Sequence, residues 1–504
     1  MPPTAFRTRL SSYLHLSTYL VGAALALGAF LPGTAQAQGF GVYEQGTCVM
    51  ARAGAAVASG CDDGSSIYFN PSHLADTDGL TVSLGATMID ATGEFTYDYA
   101  AQPPYRGAEV SLENDPIPVP HAYVTYGLTD RIGLGLGTYV PFGLETNWPT
   151  RLSDGSVFDG AFEGFENRIQ NIYVQPTLAY QVTPRLQVGA GPVLGISSVE
   201  LNQLLDLSQQ AVRNPATGEA VPDPTSEDPS EPLRFSQLGI PFHTAFARSS
   251  LESSNDLGIG ANVGLSYRVT DRISFGARFT TPITVTYDGE ADFTQIQTGL
   301  QVPTDLTLNG QTLVPAGTPI DGLLQGQFSG GQLVSQDVET EITFPFQLVT
   351  GLSVQATESL LLLADYQLTG WSAFDEIPLE FENLPKQVRE ENYENTHAVR
   401  FGAEVDLSGT FTARLGYLYN TAAAPDGVVT PLLPESDRNQ ITIGFGWQPS
   451  DRTEVNVSYQ ALLQNDRRGR VRGGLPNEPV TTDLNQGVYG FGANLFGTTL
   501  TFHL

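Results

Sequence analysis

The feature that most constrains the fold is a tight polar break that recurs six times, each time between two stretches of alternating apolar residues. The breaks contain Asp, Ser, Thr, Pro and Gly, which close tight turns locally. If the strands are about ten residues long, the connections between successive hairpins run from about 17 to about 60 residues. Short turns at one end and long loops at the other are typical of transmembrane barrels. The six segments are Tyr126–Ile132, Tyr180–Leu186, Tyr267–Ile273, Val354–Leu360, Val405–Phe411 and Trp447–Thr453.

Six short turns join twelve strands, and one further strand belongs at each end, Leu80–Ile89 and Val488–Leu504. The predicted fold class is therefore all-β, a transmembrane antiparallel β-barrel of about 14 strands with both termini on the periplasmic side. Apolar residues alternate along the strands as a lipid-facing side requires. A buried face of a soluble sheet is the alternative explanation. The alternating sets are Val263, Leu265, Tyr267 and Val269; Val399, Phe401, Ala403, Val405 and Leu407; and Ile441, Ile443, Phe445 and Trp447.

The first 37 residues have the layout of a secretory signal peptide. Arg7 and Arg9 are their only charges, the apolar run Leu20–Leu31 follows, and Ala35-Gln36-Ala37 is a small-x-small cleavage site. The run is too short to cross a bilayer comfortably as a helix. We therefore expect cleavage after Ala37 and export from the cytoplasm.

Charge and composition exclude several classes of protein. The formal charge is −30, and it becomes −32 once a signal containing two arginines is removed. So acidic a chain does not favour nucleic acid or anionic membrane surfaces, although a salt-rich habitat selects the same excess of acids. No uninterrupted apolar run of 18 residues lies outside the signal, which argues against a helical membrane protein. Because no Ser-His-Asp order, Walker loop or metal-ligand spacing is present, we expect no enzyme, no cofactor and no metal.

A series of short motifs, in order along the chain, resembles one family. Residues 39–74 run from Gly39-Phe-Gly-Val-Tyr-Glu-Gln-Gly to Phe69-Asn70-Pro71-Ser72-His73-Leu74 and resemble the N-terminal hatch of the FadL/TodX outer-membrane transporters. Ser72 stands where the family's Asn-Pro-Ala-x-Leu element has alanine. Later matches are Gly133–Trp148, Trp371–Phe374, Arg414–Asn420 and Pro431–Arg438. No single match is specific, but the ordered set is.

The resemblance implies a monomeric barrel of the bacterial outer membrane, in contact with its lipid and lipopolysaccharide. Residues 1–37 would be the signal peptide, 38–78 a hatch inside the lumen, and 79–504 the barrel with long extracellular loops. Family members take up long-chain fatty acids, alkanes or aromatic hydrocarbons by passive diffusion. The ligand meets a groove among the outer loops, enters a pocket, and leaves sideways at a kink in the third strand.

The same resemblance assigns candidate residues. Asn70 and Pro71 would lie in the hatch beside the third-strand kink, and Pro141 and Gly143 would form that kink, because proline and glycine both disturb a paired strand. A simple turn is the alternative at both places. Candidates for the ligand groove are apolar residues of two long loops. Those of the first loop roughly follow helical spacing. For those of the second loop, packing within a folded loop is at least as good an explanation. These groove candidates are Leu201, Leu204, Leu205, Leu306 and Leu308.

The sequence leaves the ligand open. A buried carboxylate needs a cation, and four arginines near strand segments are candidates, but alternation does not tell which of them face the lumen. Uncharged hydrocarbons therefore remain alongside fatty acids. Two other functions also stay open: a water-filled porin, against which the hatch argues, and a non-transport relative that serves as a secretion-system or binding component. The four arginines are Arg168, Arg278, Arg400 and Arg414.

Cys48 and Cys61, the only cysteines, both lie in the presumed hatch. In the oxidising periplasm, two cysteines that close a short loop favour a disulfide over a metal or catalytic site, and two free thiols are the alternative. We expect non-reduced mature protein to resist alkylation and to accept two alkyl groups after reduction, as measured by mass spectrometry. Two free thiols before reduction would rule the disulfide out.

Overall fold

The computed structural model describes residues 39–98, 105–214, 217–226, 228, 230–308, 311–469 and 486–504. The predicted signal peptide lies outside these ranges. Within them, fourteen antiparallel strands form a sheet that closes on itself, because the last strand pairs with the first along its whole length. The strands are β1 Leu80–Tyr97, β2 Ile117–Thr129, β3 Ile132–Asn147, β4 Glu166–Thr183, β5 Leu186–Asp206, β6 Ala245–Arg268, β7 Ile273–Thr280 with Ile283–Gln295, β8 Gln336–Phe344 with Gln347–Gln355, β9 Leu360–Thr369, β10 Thr396–Ser408, β11 Phe411–Asn420, β12 Arg438–Ser450, β13 Thr453–Gln464 and β14 Gly487–His503.

All six predicted turns are present, and they lie at one end of the barrel together with the start of β1 and the end of β14. The fourteen-strand prediction is therefore confirmed. The opposite end carries the long loops. Short elements lie in these loops and in the residues before β1. The helices are α1 Thr47–Met50, α2 Ser66–Phe69 and α3 Ile320–Phe328; the 3₁₀ turns are Pro71–Asp76, Asp159–Phe162, Leu207–Gln209, Phe235–Leu238, Trp371–Ala373 and Asp426–Val428; the short strands are Glu109–Ser111, Leu306–Leu308, Gln311–Val314, Glu376–Phe381, Gln387–Glu390 and Arg467–Gly469.

The predicted outward faces carry exposed apolar side chains. Phe401, Ile443 and Leu265 are among them, and Ile259 is 77% exposed. A continuous band of this kind would not stay in water and is what lipid requires. Among the described residues, no helix is both long and apolar enough to cross a bilayer.

Residues 39–78, here called the N-terminal segment, are bonded by inward-facing polar side chains from strands around the barrel. Asn262 of β6 donates to the carbonyl oxygens of Ile67 and Tyr68, at 3.0 Å each. Thr442 of β12 donates to Ala51 O at 3.0 Å. Asp365 of β9 accepts from the amides of residues 56 and 57 at 2.8 and 3.0 Å. Because the segment has little regular structure, these side chains supply hydrogen bonds that its buried backbone would otherwise lack.

Within this segment the sulfurs of Cys48 and Cys61 are bonded, with the two Cα atoms 6.4 Å apart. The bond ties α1 to the loop before α2. It thereby shortens the range of conformations open to a segment that has no sheet of its own.

Inward-facing glycines let the N-terminal segment approach the wall. A Cβ added to Gly133 of β3 would lie 1.7 Å from Leu74 O, and one added to Gly276 of β7 would lie 1.8 Å from Val57 O. Both neighbours are backbone atoms, which cannot move aside as a flexible side chain can. Close backbone approach is the reason for glycine at these positions.

We expect Gly133→Val to destabilise the packing of the N-terminal segment by about 1–3 kcal/mol, the usual cost of overpacking. The midpoint of thermal unfolding in detergent, followed by near-ultraviolet circular dichroism, should fall. Gly492→Val is the matched control, since a Cβ there meets no atom closer than 3.4 Å. Equal midpoints for the two variants would contradict the close-approach argument.

Candidate functional site

The barrel wall is interrupted between β2 and β3. Between residues 117 and 147, all of which the structure describes, the ladder joining these strands starts at the periplasmic turn and ends at the pair Ala122 and Thr138. Beyond that point β2 still pairs with β1 as far as Ile117, and β3 still pairs with β4 as far as Asn147. The two strands therefore present facing edges that do not bond each other.

A bulge in β3 lies next to this interruption. Val140 and Pro141 together stand opposite a single residue of β4, between the regular pairs at Tyr139 and Phe142. A bulge bends its strand and increases the local twist, and Pro141 has no amide hydrogen to donate. Gly143 lies beyond the irregular pair, and a Cβ there would meet nothing closer than 3.7 Å. The irregularity thus rests on Val140 and Pro141 and does not require a glycine at 143.

The start of the N-terminal segment bonds the edge of β3 at the bulge. Val42 N donates to Pro141 O at 2.8 Å, and Gly143 N donates to Phe40 O at 3.0 Å. Here the N-terminal segment occupies the position that a neighbouring strand would otherwise take.

Asn70 and Pro71 lie elsewhere, which corrects their predicted place beside the kink. The Asn70 side chain donates to Val57 O at 2.5 Å and to Leu265 O of β6 at 3.0 Å. Pro71 packs against inward-facing glycines of β5 and β6, Gly189 and Gly264. The pair therefore anchors the segment to β5 and β6, and the residues at the bulge are 40–45. Residues 40–45 open the hatch-like motif, so the sequence already pointed to them. Only the pairing in the folded structure separates their role at the bulge from the anchoring role of Asn70 and Pro71.

An apolar cavity lies on the extracellular side of the N-terminal segment, with about 890 Å³ of empty space including its open mouth. Phe40 and Leu144 line it beside the bulge, and β5 to β8 contribute apolar side chains. Residues of two outer loops, such as Phe374 and Leu433, line it as well. Because the lining is mainly aliphatic and aromatic, the cavity suits an apolar molecule.

The five groove candidates do not form one surface. Leu201 lines the cavity. Leu204 and Leu205 lie with Leu201 in β5, so the prediction of helical spacing was wrong: the strand continues to Asp206. Leu306 is buried in a cluster formed by the two loops around residues 207–246 and 296–333, as the alternative of packing within a folded loop had it. Leu308 belongs to the short strand Leu306–Leu308, and its side chain lies outside the described part.

The buried candidates Arg278 and Arg400 contact the N-terminal segment and do not line the cavity. The Arg278 guanidinium lies 4.6 Å above the Tyr68 ring and donates to Tyr68 O at 2.9 Å. Arg400 lies 4.4 Å above the Tyr43 ring. Such contacts between a desolvated cation and an aromatic face are stabilising.

Of the other two candidates, Arg414 bonds Glu404 at 2.6 Å near the periplasmic end, and Arg168 is about half exposed. Neither lines the cavity. The arginine that does is Arg389, on a short strand of an outer loop. Its guanidinium bonds the carboxylate of Glu163 at 2.9 Å and the carbonyl of the same residue at 2.6 Å. Sequence reasoning missed Arg389 because nothing in the local pattern brings the loops around 163 and 389 together.

A closed barrel with a lipid-facing apolar band, an apolar cavity and an interrupted wall defines an outer-membrane transport protein. The profile of the family described as "Outer membrane protein transport protein (OMPP1/FadL/TodX)" matches residues 28–498. The chain belongs to this family, and it is a protein of the bacterial outer membrane.

Individual relatives are distant. The chain is 23% identical to outer membrane protein P1 of Haemophilus influenzae over 457 residues, which cover 88% of this chain and 89% of the relative. The crystal structure of a FadL homologue from Pseudomonas aeruginosa superposes with a TM-score of 0.72 at 18% identity, covering 92% of this chain and 100% of that one. The crystal structure of the Pseudomonas putida toluene transporter TodX superposes with a TM-score of 0.61 at 16% identity. The match covers 93% of this chain and 98% of that one. At these identities the structures show a shared fold.

One of the loops that line the cavity contains a buried carboxylate. Residues 421–437 connect β11 to β12, and Val428 and Leu433 of this loop line the cavity. Glu435 of the same loop is buried and accepts from the amides of Ala423 and Ala424 at 2.6 and 2.5 Å. Burial raises the pKa of Glu435 to about 7, against the opposing effect of Arg438. Burial also raises the pKa of Asp437 to about 6.

Both folded-state pKa values lie above the ordinary range of a carboxyl, so the folded loop binds protons more tightly than the unfolded loop. The resulting stability is present in full below the ordinary pKa of a carboxyl, and it is lost progressively as the pH rises to about 6 to 7. We expect amide exchange over residues 421–437 to be faster at about pH 8 than at about pH 5.5, beyond the intrinsic pH effect. Glu435→Gln should reduce that difference; an unchanged difference would contradict the assignment to Glu435.

Proposed function

We propose that this protein carries hydrophobic small molecules across the outer membrane by passive diffusion, through the apolar cavity and out sideways between β2 and β3. The observation that carries the proposal is the contact between the two features. Phe40 and Leu144 line the cavity; Phe40 O accepts the hydrogen bond from Gly143 N at the β3 bulge, and Leu144 is the next residue along β3. In this proposal the N-terminal segment is the hatch that closes the lumen to water.

The driving force follows from the hydrophobic effect. An apolar solute crosses the polar lipopolysaccharide layer poorly, but gains about 25 cal/mol for each Å² of apolar surface that leaves water. The cavity offers a first apolar surface, and the hydrocarbon of the bilayer offers the next. No energy source is needed as long as the solute is consumed or diluted on the far side.

The chemistry of the cavity favours uncharged solutes over anions. Among the described lining residues Arg389 is the one cation, and Glu163 already bonds its guanidinium. A ligand carboxylate would have to displace Glu163 or stay unpaired, and either is costly in an apolar cavity. TodX, a fold relative, is a toluene transporter by name, which is consistent with such a substrate. Fatty acids are the competing class, because a relative from Escherichia coli that is 19% identical to this chain is described as a long-chain fatty acid transport protein.

Uptake of labelled toluene, an alkane and oleate by proteoliposomes or by cells that express the chain tests the proposal. We expect uptake of toluene and the alkane above that of empty controls. Leu201→Asn should reduce it about tenfold, because an amide without a partner in an apolar cavity costs roughly 1–3 kcal/mol. Leu201→Met is the matched control and should retain uptake, since it conserves volume and polarity.

Absence of uptake of all three solutes would sink the transport proposal and leave a secretion or binding role. Uptake of glucose or other small polar solutes at comparable rates would indicate a porin. Oleate uptake exceeding that of the hydrocarbons would keep transport but overturn the preference for uncharged solutes.

A further inference from the structure

The register between β1 and β2 shows which residues of β2 direct their backbone groups towards the interruption. Gly127 N donates to Gly79 O at 2.8 Å, at the foot of the β1–β2 ladder. In an antiparallel ladder, alternate residues direct both backbone groups to the same neighbour. The register between β1 and β2 is unbroken from Leu80 to Ile89. Odd-numbered residues of β2 therefore face β1, and even-numbered residues face β3.

The even-numbered residues beyond the end of the β2–β3 ladder are Pro118 and Pro120. Neither has an amide hydrogen, so this edge of β2 has no donor to offer to β3. If the register of the pair Ala122 and Thr138 continued for two more residues on each strand, Pro120 would lie opposite Val140. Proline belongs on strand edges that are not to be paired.

At the facing edge of β3, a side chain of the N-terminal segment supplies the hydrogen bonds. Gln45 of the N-terminal segment donates to Val140 O at 2.6 Å and accepts from Val140 N at 2.9 Å. A carboxamide that makes both bonds replaces the donor and acceptor of one strand residue. The carbonyl of Gln45 in turn accepts from the Tyr123 hydroxyl of β2 at 2.5 Å. Gln45 thus lies between the two edges.

Apolar contact fills the remaining space. Val42 of the N-terminal segment, Val119 of β2 and Val140 of β3 form a buried cluster of their own. No strand-to-strand hydrogen bond has to break for Val42 and the Gln45 carboxamide to move away from the two strands, and this distinguishes the interruption from an ordinary stretch of barrel wall.

Prolines alone do not produce such an interruption. Pro176 of β4 and Pro192 of β5 lie opposite each other, where the ladder between these two strands is locally interrupted. The strands pair again on both sides, at Val174 with Leu194 and at Leu178 with Ala190. The wall there stays closed. These residues provide a matched control, since Pro192 is also an exposed strand proline.

We infer that Pro118 and Pro120 are positioning residues of the lateral opening: they prevent β2 from pairing with β3, and so reserve the backbone groups of Val140 for Gln45. This inference rests on the proposed function, because it gives the opening between β2 and β3 a purpose. The N-terminal segment then closes the opening through bonds that can be exchanged without unzipping the barrel.

The test restores the missing donors. Pro118→Val with Pro120→Val supplies two amides and keeps an apolar outward face. Opening of residues 138–143 would then also have to break the bonds that the new amides donate, so amide exchange over these residues in detergent should slow by about fivefold for each bond, the effect of one ordinary backbone bond. Toluene uptake should fall by a similar factor. Pro192→Val should change neither measurement.

A double-mutant cycle gives a readout that a general loss of stability would not move. Gln45→Ala alone leaves the groups of Val140 unbonded and should speed exchange over residues 138–143. In the double-valine background the same change should have a smaller effect, because β2 then bonds Val140. Additive effects would overturn the inference.

The remaining outcomes are also decisive. Unchanged exchange, or slower exchange with undiminished uptake, would overturn the role of the prolines, as would an equal loss of uptake in Pro192→Val. Failure of the proposed function looks different, because the unaltered chain would then take up no toluene at all. If the double variant does not form a heat-modifiable barrel, Pro120→Val alone repeats the test at the position opposite Val140.

Discussion

The structure depends on one constraint: inside a bilayer, every backbone amide and carbonyl has to find a partner in the protein. Closure of β14 onto β1 satisfies this constraint for the barrel as a whole. The wall between β2 and β3 is an exception, because single residues and not a continuous ladder determine the hydrogen bonds there. Two prolines remove donors on one side, and Gln45 and the backbone of residues 40–42 serve the other.

The same constraint explains the character of the lumen. The N-terminal segment has only two helical turns of four residues and one 3₁₀ turn, so most of its backbone lacks regular partners. Inward-facing Asn, Thr, Gln and Asp side chains supply them, and inward-facing glycines make room. The lumen is therefore polar where it holds the segment and apolar above it, where the cavity lies. Polar packing and the apolar cavity are separated along the barrel axis.

Sequence reasoning succeeded where information is local. Each periplasmic turn is encoded by consecutive residues such as Thr129-Asp130-Arg131, and strand alternation repeats every two residues, so both can be read without knowing the neighbours. It failed where the answer depends on neighbours. Leu204 and Leu205 follow a helical spacing by coincidence and belong to β5. Arg278 and Arg400 are cations suited to a carboxylate, yet they contact Tyr68 and Tyr43.

The sequence by itself determined the class of protein: an all-β barrel with fourteen strands, short turns at one end and an apolar outer face, because all of these are short-range patterns. Only the tertiary structure decided the site. It placed Phe40 and Gln45, rather than Asn70, at the β3 bulge, brought Arg389 to Glu163, and set Pro118 and Pro120 against the edge of β3. The physical reason is that the partner of a strand edge depends on register and on chain segments far away in sequence, which no local pattern specifies.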